Sequence, residues 1–205
     1  MKILHIINAL EVGGAERLLI EALPLMKEKG HEADVLLLQS TGDTFEEQLR
    51  QQGIKIDALN RRGGRYNPLN IWSIRCRLKG YDVVHTHLFP SQYWAALAHR
   101  MGEVKNVLVT TEHSTFNTRA RNGVTSWIDK KIYGLYDGVI CISEATAKFM
   151  KQRCPKTVTI RVIENGILMP RADELKEKKS REELIGNVPQ DAFLLLQVAR
   201  FTEQK

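Results

Sequence analysis
A chain of 205 residues, 43% of them hydrophobic, can bury a sizeable core without staples but is short for two full domains. Its three cysteines, Cys76, Cys141 and Cys154, have no paired spacing, which excludes a disulfide framework and fits a reducing compartment. No apolar run approaches the roughly 20 residues of a membrane span, and Met1-Lys2 leads into a strand rather than a secretory leader, so a cytoplasmic protein is expected.

The first strand is predicted over residues 2–7 and the first helix over 15–29, with Gly13 and Gly14 between them. A glycine turn lets an anionic group approach the backbone, and the helix start, with Glu16 in its first turn, turns unpaired N–H groups toward that group. A tight βα turn that needs only flexibility is the competing reading. Leu18, Leu19, Ala22, Leu25 and Met26 form the apolar stripe of this helix. Further strands are predicted at 33–38, 55–59, 83–87, 106–111, 138–142 and 158–163, and further helices at 44–52, 68–78, 91–101, 124–136 and 144–153. Asn67-Pro68 reads as an N-cap followed by proline at the first turn. Short runs, apolar on both faces and alternating with helices, predict an α/β fold: a Rossmann-like, doubly wound parallel sheet.

The pattern changes after Asn165-Gly166. Residues 1–168 read as one domain and 169–192 as a charged linker with a helical pattern at 180–185. Residues 193–205 read as the first strand and turn of a truncated second domain. A fully apolar strand at 193–198 needs neighbours, so it is expected to self-associate with another copy, fold against the first domain, or be disordered. The alternative is that it adds to the first sheet.

Ligands of a doubly wound sheet bind beyond the carboxyl ends of its strands. Those ends carry Asn8, Gly13, Gly14 and Glu16, then His85 and His87, then Glu112, His113 and Ser114. Ser143 and Glu144 follow the sixth strand, Asn165 and Gly166 the seventh, and Arg200 and Lys205 the eighth. His85 and His87 have strand spacing and so share a face. With His113 and Glu112 they could hold zinc, but no further carboxylate stands close by. A role as general base or in orienting a hydroxyl fits better. Arg200 offers a planar fork and Lys205 a mobile charge, a combination suited to a diphosphate. The net charge of +6 has three readings: a solvated mixed-charge surface, contact with anionic membrane lipid, or nucleic-acid binding. The last is opposed because the basic clusters lack interleaved aromatics and no nucleic-acid-binding motif is present.

The order of segments is specific where each alone is loose. Val12-Gly13-Gly14-Ala15-Glu16-Arg17, Asp82-Val83-Val84-His85-Thr86-His87, Thr110-Thr111-Glu112-His113-Ser114, Ile142-Ser143-Glu144-Ala145, Val162-Ile163-Glu164-Asn165-Gly166 and Val198-Ala199-Arg200 with Lys205 follow one another. Together they closely resemble the N-terminal, acceptor-side half of family-four retaining glycosyltransferases of the GT-B fold. The resemblance implies transfer of a hexose from a nucleotide diphosphate sugar to a hydroxyl with retention, without cofactor or divalent metal. It implies that Gly13 and Gly14 approach the donor phosphates, that His87 faces the reacting sugar and that His113 shapes the acceptor side. Asn165 and Gly166 then lie near the hinge, and Arg200 and Lys205 neutralise the leaving diphosphate. The implied acceptor is a saccharide or lipid-linked glycan of the cell envelope, met in the cytoplasm or peripherally at the inner membrane face. Two departures stand out: Ala199 replaces the usual glycine, and the family's C-terminal donor-sugar glutamates and nucleobase pocket are missing, so this chain is expected to be inactive alone. A nucleotide-sugar epimerase of the same architecture and a noncatalytic sugar- or nucleotide-binding module are the alternatives. A dinucleotide-dependent oxidoreductase is disfavoured because no G-x-G-x-x-G follows the first strand.

Overall fold
Seven of the apolar runs form strands in the computed structural model, which describes residues 1–114 and 123–166 and single positions at 183, 186, 189, 192, 193 and 195. The strands are β1 (Lys2–Ile7), β2 (Glu32–Leu37), β3 (Ile56–Ala58), β4 (Val83–His87), β5 (Val107–Glu112), β6 (Gly138–Cys141) and β7 (Thr159–Val162). The helices are α1 (Gly14–Glu28), α2 (Thr44–Gln51), α3 (Asn70–Arg75), α4 (Ser91–Met101), α5 (Gly123–Tyr133) and α6 (Glu144–Lys151). All these elements lie within one unit, Met1–Ile167. Of the run 193–198 only Phe193 and Leu195 are described, both exposed; Arg200, Lys205 and most of the 180–185 pattern lie outside the described residues.

The strands are all parallel, in the order β3-β2-β1-β4-β5-β6-β7. The order reverses between β1 and β4, so a crevice opens there beyond the carboxyl edge. Period-two alternation divides the core between the two faces. Leu4, Ile6, Leu36, Val84 and Leu108 pack with Ile74 of α3, Ala95 of α4 and Tyr133 of α5. Ile7, Val35 and Leu37 pack with Leu19 and Leu23 of α1 and Leu49 of α2. Each fully buried Leu or Ile contributes roughly 1.5–3 kcal/mol over its exposed state.

Two local expectations are corrected. The buried row of α1 is Ala15, Leu19, Ile20 and Leu23, whereas Leu25, assigned to the stripe, is 41% exposed. The row i, i+4, i+8 from Ala15 faces the sheet, and the small alanine permits close approach to it. Asn67 does not cap α3: its Oδ1 accepts from the Leu69 N–H at 2.9 Å and its Nδ2 donates to the Arg62 carbonyl at 2.6 Å. It thus closes the turn around the 3₁₀ segment Gly64–Tyr66, and α3 starts at Asn70.

Candidate functional site
Neither glycine at the start of α1 is there for its backbone conformation. Gly13 is extended, with φ −159° and ψ 168°, and Gly14, the first residue of the helix, is not among the glycines of positive φ. What they leave is space. A Cβ on Gly14 would meet no atom within 4 Å, and where a Cβ on Gly13 would stand the carboxylate of Glu16 lies. The floor in front of the helix N–H groups is therefore open at Gly14 and occupied at Gly13 by a movable carboxylate, as in the acidic arm of a capping box. An incoming anion gains the helix terminus only if Glu16 swings away.

Beside this floor the sheet register assembles a row of imidazoles. His5 of β1 pairs with His85 of β4, and His87 pairs with Thr111 of β5, so His5, His85 and His87 share a face, as the spacing of the last two requires. His5 Nδ1 lies 3.2 Å from His87 Nε2, and His87 Nδ1 lies 3.3 Å from His113 Nε2. His85 Nε2 bonds Thr111 Oγ1 at 2.7 Å. His87 is 2% exposed and has both ring nitrogens engaged by other imidazoles; His113 is the more exposed end of that chain. Burial lowers the pKa of His5 to about 4 and that of His113 to about 4, and burial followed by the neighbouring imidazoles lowers His85 and His87 well below the ordinary range. All four rings are neutral at pH 7, and each can donate through one nitrogen while accepting through the other.

Among the described residues, the group that comes nearest to a metal cage is this same one, with ligand atoms of His5, His85 and His87 all within 4.8 Å of one another. Metal ligation needs lone pairs, which lie in the ring planes, to converge on one point. Here the rings are stacked or gently tilted, with interplanar angles of 16°, 33° and 39° and centroids 4.3–5.5 Å apart. That arrangement favours a hydrogen-bonded chain. His5 went unnoticed in the sequence because it stands in mid-strand, and only the β1–β4 register reveals that it faces His85. Its Nε2 is buried without a hydrogen-bond partner among the described residues.

The loops around the imidazoles are tied to one another. Asn8 Nδ2 donates to the Phe89 carbonyl at 2.8 Å, and its Oδ1 accepts from the Ser91 N–H at 3.1 Å, joining the loop after β1 to the loop after β4. Ser91 Oγ donates to the carbonyls of His87 and Leu88. Leu88 has φ +63°, a strained conformation for a branched side chain that this packing enforces beside His87. Glu112 faces away from the imidazoles, accepting from Gln92 Nε2 at 2.7 Å and from the Tyr133 hydroxyl at 2.5 Å, and so anchors the end of β5 to α4 and α5.

Gly13, Gly14 and Glu16 follow β1 at the carboxyl edge, and His85, His87 and His113 stand on or just after the neighbouring β4 and the next strand, β5. Ser143 follows β6, two strands from β4, and Asn165 and Gly166 follow β7, three strands away. At about 4.8 Å per strand these lie roughly 10 and 14 Å along the edge. Ser143 has a structural task, its Oγ capping α6 by accepting from the Thr146 N–H at 3.2 Å. Ser143→Ala is expected to cost about 1 kcal/mol, read as a lower urea midpoint at unchanged slope. A separate cavity of about 780 Å³ opens at the opposite edge, lined by residues that include Leu78, Gly80, Tyr81, Asp82 and Asn106. It holds no imidazole and lies at the amino ends of β4 and β5. The carboxyl edge, where helix start and imidazoles converge, is the better candidate.

The family profile described as Glycosyltransferase Family 4 matches residues 12–168. Among solved structures, Anabaena Alr3699/HepE in complex with UDP and glucose is similar with a TM-score of 0.66 and 21% identity, over 82% of this chain and 45% of that one. The lipopolysaccharide outer core galactosyltransferase WaaB, in its apo form, is similar with a TM-score of 0.63 and 15% identity, over 83% of this chain and 47% of that one. UDP-GlcNAc 2-epimerase from Neisseria meningitidis bound to UDP-GlcNAc gives 0.56 and 18%, over 80% and 47%. Likeness at these identities carries the fold, and this chain spans less than half the length of each. No curated protein sequence matches the chain.

Proposed function
The chain belongs to glycosyltransferase family 4, and from that membership we propose that it forms the acceptor-side half of an enzyme that moves a hexose from a nucleotide diphosphate sugar to a hydroxyl. The observation that carries the reading is the convergence, at the sheet's switch point, of an open helix start with a chain of neutral imidazoles. The donor diphosphate lies against the N–H groups of α1, with Glu16 displaced, and Arg200 and Lys205 neutralise it as it leaves. His113, backed by His87, meets the acceptor hydroxyl and aligns it. The bond from the anomeric carbon to the diphosphate oxygen breaks, a bond to the acceptor oxygen forms on the same face, and the acceptor's proton passes to the departing diphosphate. Retention follows from that route, and cationic side chains stand in for a divalent metal. Residues 1–168 act as the first domain, 169–192 as linker and 193–205 as the opening of the second, which supplies the rest of the donor site.

The fold likeness to a UDP-GlcNAc 2-epimerase keeps sugar epimerisation as the second reading; the family match over residues 12–168 favours transfer. The test is amide NMR of the chain titrated with UDP-glucose and UDP. Weak binding that perturbs Gly13 to Arg17 and the His113 ring, and that Gly14→Glu abolishes, is expected, with no sugar transfer by this chain alone. Perturbation confined to the amino-edge cavity overturns the reading. Once the chain is joined to a donor-binding half, His87→Ala is expected to lower kcat by about 10²-fold or more, in line with loss of a positioned group.

A further inference from the structure
Four imidazoles stand on or just after β1, β4 and β5, and the transfer reaction gives a task to His87 and His113 only. His5 has none. It lies in mid-strand, 1% exposed, between Val35 of β2 and His85 of β4 in the register. It therefore shares the sheet face on which Ile7, Val35 and Leu37 pack under α1. Its Nδ1 lies 3.2 Å from His87 Nε2, and its Nε2 is buried with no hydrogen-bond partner among the described residues. His85, its register neighbour, spends Nε2 on Thr111 Oγ1 at 2.7 Å and leaves that nitrogen of His5 unpaired.

Each ring is neutral, so each carries one N–H and one bare nitrogen. At each of the two contacts, His5 with His87 and His87 with His113, one nitrogen donates and the other accepts. The choice at one end therefore fixes every proton in the row. In one arrangement His5 Nδ1–H donates to His87 Nε2, His87 Nδ1–H donates to His113 Nε2, and His113 Nδ1 carries an outward N–H. In the other every bond is reversed: His113 Nδ1 offers a lone pair, and His5 buries an Nε2–H without an acceptor. Solvent satisfies either form at His113, the more exposed end, so the buried end decides. Apolar neighbours present C–H groups, which donate weakly to a lone pair and accept nothing. A buried N–H with no acceptor carries its full desolvation cost, and such groups are the rarest orphans in proteins.

We propose that His5 is a positioning residue that sets the direction of this row, so that His113 presents an N–H donor from Nδ1 and not a lone pair. The chemical consequence rests on the transfer reading. A donor at this place binds an oxygen, and His113 takes up the acceptor's proton only if three rings reverse and His5 buries its N–H. Of the two roles that the sequence leaves open for these histidines, orienting a hydroxyl stands and general base falls. The acceptor oxygen receives the Nδ1–H bond on one lone pair and turns the other to the anomeric carbon. Its own proton stays free to pass to the departing diphosphate.

Long-range proton–nitrogen NMR of the 205-residue chain, labelled with heavy nitrogen in histidine, reports which nitrogen of each ring is protonated. At neutral pH His5, His87 and His113 are expected as Nδ1–H forms, each in about fivefold excess or more over Nε2–H. Nitrogen–nitrogen couplings should join His5 Nδ1 to His87 Nε2 and His87 Nδ1 to His113 Nε2. Free histidine prefers Nε2–H, so three rings of the opposite form are no default outcome. A predominant Nε2–H form at His87 or His113 overturns the proposal. Two variants separate direction from packing. His5→Phe moves the unpartnered end to His87 Nε2 and should keep His87 and His113 as Nδ1–H, with the first coupling lost. His5→Asp puts an acceptor where the donor was and should move a proton onto His87 Nε2. The same form of His87 in both variants overturns the role given to His5; if His5→Asp does not fold, the wild-type tautomers and His5→Phe decide. Titration with UDP-glucose keeps the two readings apart. The expected tautomers without perturbation of Gly13 to Arg17 sink the transfer reading alone, and Nε2–H forms with that perturbation sink the direction alone.

Discussion
Acidification from pH 7.5 to 4.5 is expected to destabilise this protein by several kcal/mol, before its carboxylates are protonated. In the unfolded chain the imidazoles take up protons near pH 6.5, whereas buried His5 does so at about 4, and His85 and His87 are held well below the ordinary value. Between those limits the unfolded state binds more protons than the native state, so stability rises with pH across that window. The contribution is fully present above about pH 6.5 and is lost as pH falls toward 4. For His5 alone it is on the order of 3 kcal/mol, a large share of the 5–15 kcal/mol typical of a domain. Urea unfolding at pH 7.5, 6 and 5 measures it. His5→Leu removes one proton site and should flatten the pH slope by up to about 1.4 kcal/mol per unit, at a cost at high pH from leaving His87 Nε2 without its partner. A urea midpoint that stays constant from pH 7.5 to 5 would show that the four rings are not buried as a neutral chain.

The same row of rings shows what could be read in the sequence and what could not. Strand spacing alone put His85 and His87 on one face, and β4 and β1 were found at their predicted limits, residues 83–87 and 2–7, because β-branched runs bounded by polar turns have few alternatives. His5 escaped notice because its importance lies in a pairing between residues 80 positions apart, which no local pattern encodes. Glu112 was visible at a strand end, but its engagement by Gln92 and Tyr133 depends on how α4 and α5 pack. The rotated buried row of α1 has a similar origin. Leu18, Ala22 and Leu25 would fit the stripe of an isolated amphipathic helix, yet the sheet selects the face that begins with the small side chain of Ala15. The glycine pair reads in the sequence as space without Cβ atoms or as a flexible turn, and only the coordinates show Gly13 extended and Gly14 helical. Depth is likewise absent from the sequence: His87 is buried, and His113 stands at the more exposed end of the chain of rings.

Asp129→Ala is expected to be among the most destabilising single substitutions in the protein, at about 3–5 kcal/mol. Asp129 on α5 is completely buried and accepts from the Tyr93 hydroxyl of α4 and from Arg153 Nη1 at 3.4 Å, just beyond α6. Arg153 is itself only 13% exposed and lies with its guanidinium 4.5 Å from the Phe149 ring centroid. Deleting the carboxylate strands a cation in a site of low polarity and takes the acceptor from the tyrosine, and the loss of one partner costs far more than the pair contributes as a whole. Asp129→Ala combined with Arg153→Met should therefore be less damaging than the sum of the two single changes, with a coupling of about 1–3 kcal/mol in a urea-unfolding cycle. Asp129→Asn, which keeps an acceptor for Tyr93, should fall between wild type and alanine. Additive losses in the cycle, or full stability in Asp129→Ala, would mean that α5 is held by its apolar contacts through Ile132 and Tyr133 instead.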